Sequence, residues 1–255
     1  MWAKNYQIPF RSNIKIFKNK IIAANQNNTL YFFNKGNGDI LRFIPTEDTS
    51  LKNKFINNIS VDENFTLFLN TYGSLYAINN ETLRINWFLN LNRSLNLNPN
   101  NLFLSNQVIN DNKKVVISSN ENIYILDTNN GSVISKKNFS SYIKPVIFND
   151  YIFLITKKNY LISLDLNKGD IIYAYDLNQK ISEFLDIKKK NAYFKNIMLV
   201  NNKLFIFLNN SYVLKINFDG TLDKVEKLPT KINSHPIFID GSIIYIDQKN
   251  KLSIV

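Results

Sequence analysis

The most constraining feature of the sequence is a unit that recurs along its whole length. Each copy contains a short, mostly apolar strand signal that ends on Asp or Asn, called the anchor residue below. The copies lie at Leu30–Asn34, Leu75–Asn79, Ile123–Asp127, Leu161–Asp165 and Val213–Asn217, and a sixth begins at Leu252. Counted from 34 to 79, 127, 165 and 217, the anchors are 45, 48, 38 and 52 residues apart. A period near 45 residues indicates propeller blades rather than a solenoid of helices.

A glycine follows the anchor in four copies and marks a tight turn into another strand. Gly38, Gly131 and Gly169 lie four residues after their anchors, and Gly220 lies three residues after its own. Such a turn requires positive φ, which glycine adopts without steric cost. The second copy has Leu83 in this place. We therefore expect the turn of the second copy to be built differently.

Two further strand signals, joined by a turn, precede each anchor. They begin at Ile14, Ile59, Val108, Pro145, Ile197 and Pro236. Their turns contain Lys-Asn, Asn-Asp, Asn-Asn or Asp-Gly pairs, which are typical of hairpins. Each unit therefore predicts four short antiparallel strands, which is one propeller blade. A single blade cannot bury both faces of its sheet, so neighbouring blades must stack face to face.

These units predict one all-β domain over residues 1–255, a β-propeller of about six four-stranded antiparallel blades. Apolar residues make up 45% of the chain, which is enough for a packed core. The sixth unit stops after its third strand signal, and residues 1–5 resemble a fourth strand. In one interpretation residues 1–5 complete the last blade and close a six-bladed ring. In the other, the chain is incomplete at its N-terminus and belongs to a larger, eight-bladed ring.

Composition excludes several classes of site. The chain has no cysteine, which excludes disulfides, thiolate zinc sites and cysteine nucleophiles. It has one histidine, His235, which excludes histidine-rich metal sites and argues against a histidine-based triad. No apolar stretch approaches the ~20 residues that span a bilayer. Residues 1–13 show neither an apolar signal core nor a lipobox-like cysteine, so the sequence as given predicts no export signal.

The formal net charge of +11 raises the possibility of a nucleic-acid partner. The lysines, however, stand mostly singly or in pairs within turns, and only Lys188–Lys190 forms a run. The aromatic residues that stacking on bases would need fall at alternating strand positions, where blade packing already uses them. We therefore predict no nucleic-acid partner.

Two local patterns resemble metal or catalytic motifs. Asn217, Asp219 and Asp223 have a spacing loosely like that of a calcium loop, but an EF-hand loop needs more oxygen ligands and a terminal glutamate. A turn between strands accounts for Asp219 and Gly220 without a metal. His235 precedes a proline where Lys144 does in another copy, which argues against a dedicated ligand or base. The sequence thus predicts no catalytic, cofactor-binding or metal-binding residue.

The longest insertions between strand signals are Asn92–Asn106 and Asn178–Asn196. Within the second, Ile181, Phe184, Leu185 and Ile187 have a helical period beside the basic run Lys188–Lys190. Long loops often carry function, so both are candidates for binding a partner. Drift in loop length without function is an equally good explanation on sequence alone.

The second copy shows a family resemblance most clearly. Gly73, the strand through Asn79, the following turn and a last strand with Trp87 resemble the PQQ-like β-propeller repeat. This repeat is shared by quinoprotein alcohol dehydrogenases and by the BamB family of outer-membrane assembly factors. The resemblance covers essentially the whole chain, with two departures. The glycine before the third strand is replaced by asparagine-rich turns in other copies. Tryptophan recurs in the last strand only at Trp2, and other aromatic residues lie near that position elsewhere: Phe43, Phe139 and Tyr173.

The resemblance implies a non-enzymatic, BamB-like scaffold that binds other proteins during assembly of β-barrel proteins into the outer membrane. It also implies a monomer without a cofactor, in the periplasm and associated with the outer membrane. The alternative is a degenerate or inactive PQQ-dependent dehydrogenase. Such enzymes add a calcium-bound quinone pocket, a catalytic aspartate and often a disulfide between adjacent cysteines. This chain has no cysteine and only two tryptophans, which fit repeat positions. We therefore favour the scaffold.

Overall fold

Antiparallel pairing between strands that are neighbours in sequence builds the whole fold. The computed structural model of the chain describes residues 2–48, 56–92, 103–111, 113–119 and 121–255. Within these ranges the strands form six sheets in chain order, five with four strands and one with three. Each sheet corresponds to one sequence unit. The prediction of an all-β propeller with four-stranded antiparallel blades is confirmed.

Contacts between Cα atoms divide the chain into two units, Met1–Ser140 and Ser141–Val255. A single domain over residues 1–255 stays a prediction. The first unit contains three sheets. The first sheet comprises β1 (Lys15–Phe17), β2 (Lys20–Ala24), β3 (Thr29–Asn34) and β4 (Ile40–Pro45). The second comprises β5 (Asn58–Val61), β6 (Phe65–Leu69), β7 (Ser74–Asn79) and β8 (Ile85–Asn90). The third comprises β9 (Ile109–Asn110), β10 (Lys114–Ser118), β11 (Ile123–Asp127) and β12 (Val133–Lys137).

The second unit contains the remaining sheets and one helix. The fourth sheet comprises β13 (Val146–Phe148), β14 (Tyr151–Ile155), β15 (Tyr160–Asp165) and β16 (Ile171–Asp176), and β16 leads into α1 (Leu177–Leu185). The fifth comprises β17 (Phe194–Val200), β18 (Lys203–Leu208), β19 (Tyr212–Asn217) and β20 (Leu222–Lys227). The sixth comprises β21 (Ile237–Ile239), β22 (Ser242–Ile246) and β23 (Leu252–Ile254).

The five predicted anchors each end the third strand of their sheet. The structure shows why Asp or Asn stands there. In the first sheet the side-chain Oδ1 of Asn34 accepts a hydrogen bond from the backbone N–H of Gly36, at 2.8 Å. Asp127 makes the equivalent bond with the N–H of Asn129, also at 2.8 Å. The anchor side chain therefore caps the turn that follows it, which is the Asx-turn chemistry of these residues.

Leu83 corrects the expectation for the turn of the second sheet. Its φ is +53°, close to the +73° of Gly38 and Gly131. Its backbone N–H donates to the carbonyl of the anchor Asn79 at 2.9 Å, as Gly38 does to its own anchor at 2.8 Å. The turn is therefore built in the same way, and the prediction was wrong. The Leu83 side chain packs on the core between the first and second sheets, which offsets a left-handed strain of about 1–2 kcal/mol.

Left-handed residues occur at the other turns where the sequence predicts them. Gly73 precedes the third strand of the second sheet with φ +85°, and asparagines take the same place in the first, fourth and sixth sheets: Asn28, Asn159 and Asn250, with φ between +58° and +63°. The fifth sheet uses Ser211 there, with φ +68°. Asparagine tolerates this conformation, so the prediction of asparagine-rich replacements is confirmed.

Within each unit, neighbouring sheets pack face to face through their inner strands. Separate apolar clusters join the first sheet to the second, the second to the third, the fourth to the fifth and the fifth to the sixth. The fourth strands are more exposed. In β4 and β8, Phe43 and Phe88 expose more than half of their surface. The prediction that blade packing takes up the strand aromatics was therefore wrong for these two, because they lie on outer strands.

Two tryptophans pack on turn glycines of the first unit. The Trp87 ring lies against Gly131, and its Nε1–H donates to the carbonyl of Thr128 at 2.8 Å. Trp2 lies in the same way against Gly38 and donates to the carbonyl of Lys35 at 3.0 Å. Thr128 and Lys35 are both the residue after an anchor, so the two contacts are equivalent. No strand is assigned to residues 2–6. Closure by residues 1–5 and membership of an eight-bladed ring therefore stay predictions.

Candidate functional site

The insertion Asn178–Asn196 carries the only helix that the described residues form. α1 begins where the Oδ1 of its N-cap, Asp176, accepts from the N–H of Gln179 at 3.1 Å. It ends at Asp186, which adopts the left-handed conformation. The inner face buries Leu177, and Ile181 packs on the core between the fourth and fifth sheets. The predicted helical period is confirmed through Leu185. No helix of the described residues is long and apolar enough to cross a membrane.

Hydrogen bonds hold the segment that returns from α1 to β17. The backbone N–H of Ala192 donates to Asn178 Oδ1 at 2.9 Å, and its carbonyl accepts from Asn159 Nδ2 at 3.1 Å. Lys189 Nζ lies 2.7 Å from Asp176 Oδ2, which ties the basic run to the start of the helix. Residues 177–193 are thus fixed at several points.

Four apolar or aromatic side chains project from this fixed segment. We call them the α1 surface: Phe184, Leu185, Ile187 and Tyr193. They expose 47%, 40%, 50% and 72% of their surface, respectively. Single exposed apolar side chains are common on protein surfaces, whereas those that form one patch mark interaction sites. Lys188 and Lys190 are also exposed and give the surroundings a positive charge.

A cleft of about 490 Å³ adjoins the α1 surface and includes Tyr193. It is lined by Tyr142, Lys157, Lys158, Asn159, Asn178, Asn191, Ala192 and Tyr193. The Tyr142 hydroxyl accepts from the N–H of Phe194 at 3.0 Å, and burial raises the pKa of Tyr142 to about 12. The phenol is therefore neutral at physiological pH. The cleft is lined by lysine, amide and aromatic side chains, and its positive charge suits an acidic peptide segment.

The pKa of Asp176 is shifted by opposing effects. Partial burial alone would raise the pKa, but hydrogen bonds from Lys189 and from the N–H of Gln179 outweigh it and lower the pKa below its usual range. Asp176 is therefore ionised at neutral pH. Its charge serves both as helix cap and as ion-pair partner.

The other predicted insertion, Asn92–Asn106, lies mostly outside the described residues, since 93–102 are not described. Of its described part, Phe103 packs against Gly73 and donates its N–H to the carbonyl of Thr71 at 2.9 Å.

The calcium-like spacing has a turn as its explanation. Asp219 Oδ1 accepts from the N–H of Thr221 at 2.8 Å, and Gly220 has φ +81°. Asp223 is directed to Lys203 instead, with 2.8 Å between Oδ2 and Nζ. Nowhere in the described ranges do three or more acidic or histidine side chains gather to hold a metal ion. The donor set of these residues does not fit a calcium-bound quinone.

His235 is exposed and lies just before β21, and Pro236 after it is buried. Lys144 is likewise exposed before the buried Pro145. The two positions therefore share one exposure pattern, and no contact among the described residues joins His235 to another residue considered in the sequence.

The sequence analysis missed a network around Glu47. Its carboxylate accepts from Asn70 Nδ2 at 2.6 Å and from the Tyr76 hydroxyl at 2.9 Å, and Ser74 Oγ also donates to it. Burial and the Glu47 charge raise the pKa of Tyr76. Each polar group of the network has a partner, so we assign it a structural role. Glu47 lies just after the end of β4, at a position that does not recur in the sequence repeat. Its contact with the second sheet is visible only in the folded structure.

Comparison with known proteins identifies the family of the chain. A family model described as outer membrane protein assembly factor BamB matches residues 1–175. The chain belongs to this BamB family. No curated protein sequence matches it. Since the α1 surface begins after residue 175, the match covers the first four sheets and not this surface.

Solved structures show the same fold. BamB from Moraxella catarrhalis superposes with a TM-score of 0.71 at 12% identity, over 94% of this chain and 70% of that chain. The β-propeller domain of Cps50 (Swd1) from Myceliophteria thermophila gives a TM-score of 0.63 at 8% identity, over 99% of this chain and 84% of that chain. At these identities the likeness concerns the fold alone.

Proposed function

We propose that this BamB-family protein is a non-catalytic scaffold that binds other proteins while β-barrel proteins are assembled into the outer membrane. It acts in the periplasm, associated with the outer membrane, as a monomer and without a cofactor. Family membership supports the general role. The observation that carries the proposal for this chain is the α1 surface, where apolar side chains stand exposed on a fixed segment.

The physical argument rests on preorganisation. A partner that binds a fixed segment does not have to order it, so less of the interaction free energy is lost on binding. Phe184 and Tyr193 are aromatic, and aromatic residues are enriched among the residues that dominate binding energy. The neighbouring Lys188 and Lys190 would speed the approach of an acidic partner more than they strengthen the final complex.

A deletion of Asn178–Asn196 would test this insertion only if it left the β fold intact. The structure argues against that test, because the deletion removes the start of β17 and the packing of Ile181 on the core. Point variants of exposed residues are the better choice.

The test compares two double variants in affinity capture from envelope extract, with mass spectrometry of the bound proteins. Phe184→Ser with Ile187→Ser removes two exposed side chains of the α1 surface. Ile237→Ser with Ile239→Ser removes two side chains of β21 with similar exposure, 57% and 49%. We expect the first variant to lose at least about tenfold in recovery of a β-barrel assembly component, a difference of 1.4 kcal/mol in binding. We expect the second to capture it as the unchanged protein does.

An equal loss of recovery in both double variants would mean that any exposed apolar residue contributes to capture. That result would contradict a specific role of the α1 surface. Unchanged capture by both variants would show that the partner contacts another part of the protein.

The non-catalytic role has its own test. PQQ with calcium should not raise the melting temperature, since a ligand that binds only the native state must stabilise it. A concentration-dependent rise would favour the quinoprotein alternative.

A further inference from the structure

A pocket of about 330 Å³ lies in the second unit, between the fourth and fifth sheets. It is lined by Phe148, Asn149, Tyr151, Phe153, Ser163, Ile172, Tyr173, Phe218 and Asp219. None of these residues belongs to the α1 surface. Phe218 stacks on Phe148 and Phe153, with ring centroids 5.1 Å and 5.6 Å apart. The walls are therefore largely aromatic.

Polar residues also line the pocket: Asn149, Ser163, Tyr173 and Asp219. The Tyr173 hydroxyl is buried and has no hydrogen-bond partner among the described residues. Ser163, which is 1% exposed, lies near it but not in hydrogen-bonding geometry. A buried hydroxyl without a partner costs free energy, and natural proteins rarely leave one so unless a water or ligand completes it.

The register of β15 and β16 relates the Tyr173 hydroxyl to a tryptophan position of the repeat. Ser163 pairs with Tyr173 just before a β-bulge in the fourth sheet, as Ala77 pairs with Trp87 in the second. Tyr173 therefore occupies the position of Trp87 in the repeat. The indole N–H of Trp87 reaches a backbone carbonyl at 2.8 Å, whereas the Tyr173 hydroxyl reaches none. A change at one repeat position thus leaves a polar atom that has no hydrogen-bond partner within the described ranges.

A carboxylate adds charge to this pocket. Asp219 Oδ1 accepts hydrogen bonds from the side chain and the backbone N–H of Thr221, and these bonds hold the pKa of Asp219 below its usual range. Asp219 is exposed and ionised at neutral pH. The pocket therefore combines aromatic walls, an unpaired hydroxyl and a negative charge.

We infer that this pocket binds a small aromatic amine. The ring lies against Phe148, Phe153 and Phe218, a polar ring substituent meets the Tyr173 hydroxyl, and the ammonium group pairs with Asp219. The volume is at the lower end of the range for ligand sites, which suits a molecule with one ring. The inference does not depend on the proposed scaffold function.

The test uses three probes that differ by one group each. Tyramine has the ring, a hydroxyl and an ammonium group, p-cresol lacks the ammonium group, and toluene lacks both polar groups. Binding is measured by saturation-transfer NMR and calorimetry. We expect affinity to fall in that order. Asp219→Asn should weaken tyramine about tenfold and leave p-cresol unchanged, since about tenfold is what one charged contact commonly contributes. Tyr173→Phe should weaken tyramine and p-cresol but not toluene.

Two matched variants separate the pocket from the rest of the sheet. Ile172 lines the pocket and is 48% exposed, and its neighbour Ile171 is 50% exposed but does not line it. Ile172→Trp should reduce tyramine binding at least about tenfold, whereas Ile171→Trp should not change it. Absence of saturable binding by all three probes would overturn the inference, as would equal effects of the two variants. Tighter binding of a capped tyrosine peptide than of tyramine would overturn the assignment to a small amine.

Discussion

Two contacts between neighbouring sheets use the same strand position with opposite results. Where the second sheet meets the third, Trp87 covers Gly131 and its single polar atom is satisfied. Where the fourth meets the fifth, Tyr175 and Tyr173 together lie against Gly220. The two tyrosine rings stack with centroids 5.0 Å apart, and the buried hydroxyl of Tyr173 has no hydrogen-bond partner in the described part of the chain.

The difference between the two contacts shows how a binding pocket can arise between the sheets of a repeat fold. The tryptophan contact closes the space between two sheets, because one large ring fills it and donates to the nearest carbonyl. The tyrosine contact leaves a pocket beside the ring of Tyr173. The register of the third and fourth strands is the same in both sheets, but the side chains that meet the turn glycine differ.

Removal of the tryptophan should have the largest effect. Trp87→Ala leaves Gly131 uncovered and the Thr128 carbonyl without its donor. Full burial of such a ring would make the loss 3–5 kcal/mol, but Trp87 is half-buried, so we expect the free energy of unfolding to fall by about 2–3 kcal/mol. Tyr173→Ala should cost less, because it also removes an unpaired hydroxyl. Chemical denaturation of both variants gives the comparison, and equal losses would show that the two contacts do not differ in energy.

Glycine substitutions test the close approach itself. A methyl group on Gly131 would lie 2.6 Å from Trp87 Cε3, whereas one on Gly241 would meet nothing within 4 Å. Both residues have positive φ, +73° and +82°. Gly241→Ala should therefore cost only the left-handed strain, about 1 kcal/mol, and Gly131→Ala about 2 kcal/mol because the indole must also move. If denaturation gives the same loss for both, the tryptophan does not depend on a glycine beneath it.

Removal of the unpaired hydroxyl should act in the opposite direction. Tyr173→Phe keeps the ring and deletes a buried polar atom, so we expect the free energy of unfolding to rise by about 0.5–1 kcal/mol. The wild-type protein should also lose stability at alkaline pH, because burial raises the pKa of Tyr173 above that of the unfolded chain. That loss sets in above about pH 10 and should be smaller in the variant. Destabilisation by Tyr173→Phe at neutral pH would mean that the hydroxyl has a partner in solution.

The features that sequence could predict are those decided locally. The anchors and hairpin turns follow from strand alternation and from turn chemistry within a few residues, and the structure confirms them. The helix of the second insertion follows from its apolar period in the same way. Leu83 shows the limit, because its left-handed conformation depends on packing against other strands rather than on its own preference.

The candidate sites could not be predicted from the sequence, because they depend on side-chain exposure and on contacts between strands. The α1 surface needed the exposure of each side chain, and the same helical period would fit a buried helix. The pocket at Tyr173 needed the register of β15 and β16 and the approach of Phe218 from the next sheet. Sequence placed Tyr173 near the tryptophan position but gave no sign that its hydroxyl would be left unpaired.

The smallest expected effect extends the comparison along β16, which runs from the tyrosines into α1 through Asp176, whereas β8 ends at Asn90. The pKa of Asp176 is lowered in the folded state, so its contribution is present above the unfolded value near 4 and is lost as pH falls below it. Asp176→Asn keeps an efficient helix cap but removes the ion pair with Lys189, so it should cost about 0.5 kcal/mol at pH 7. The cost should be smaller at pH 3 than at pH 7, because the contribution is lost as the pH falls from the unfolded value toward the lowered pKa of the folded state. Thermal unfolding at both pH values measures it, and a cost that is equal at pH 3 and pH 7 would show that the charge of Asp176 does not stabilise this end of the strand.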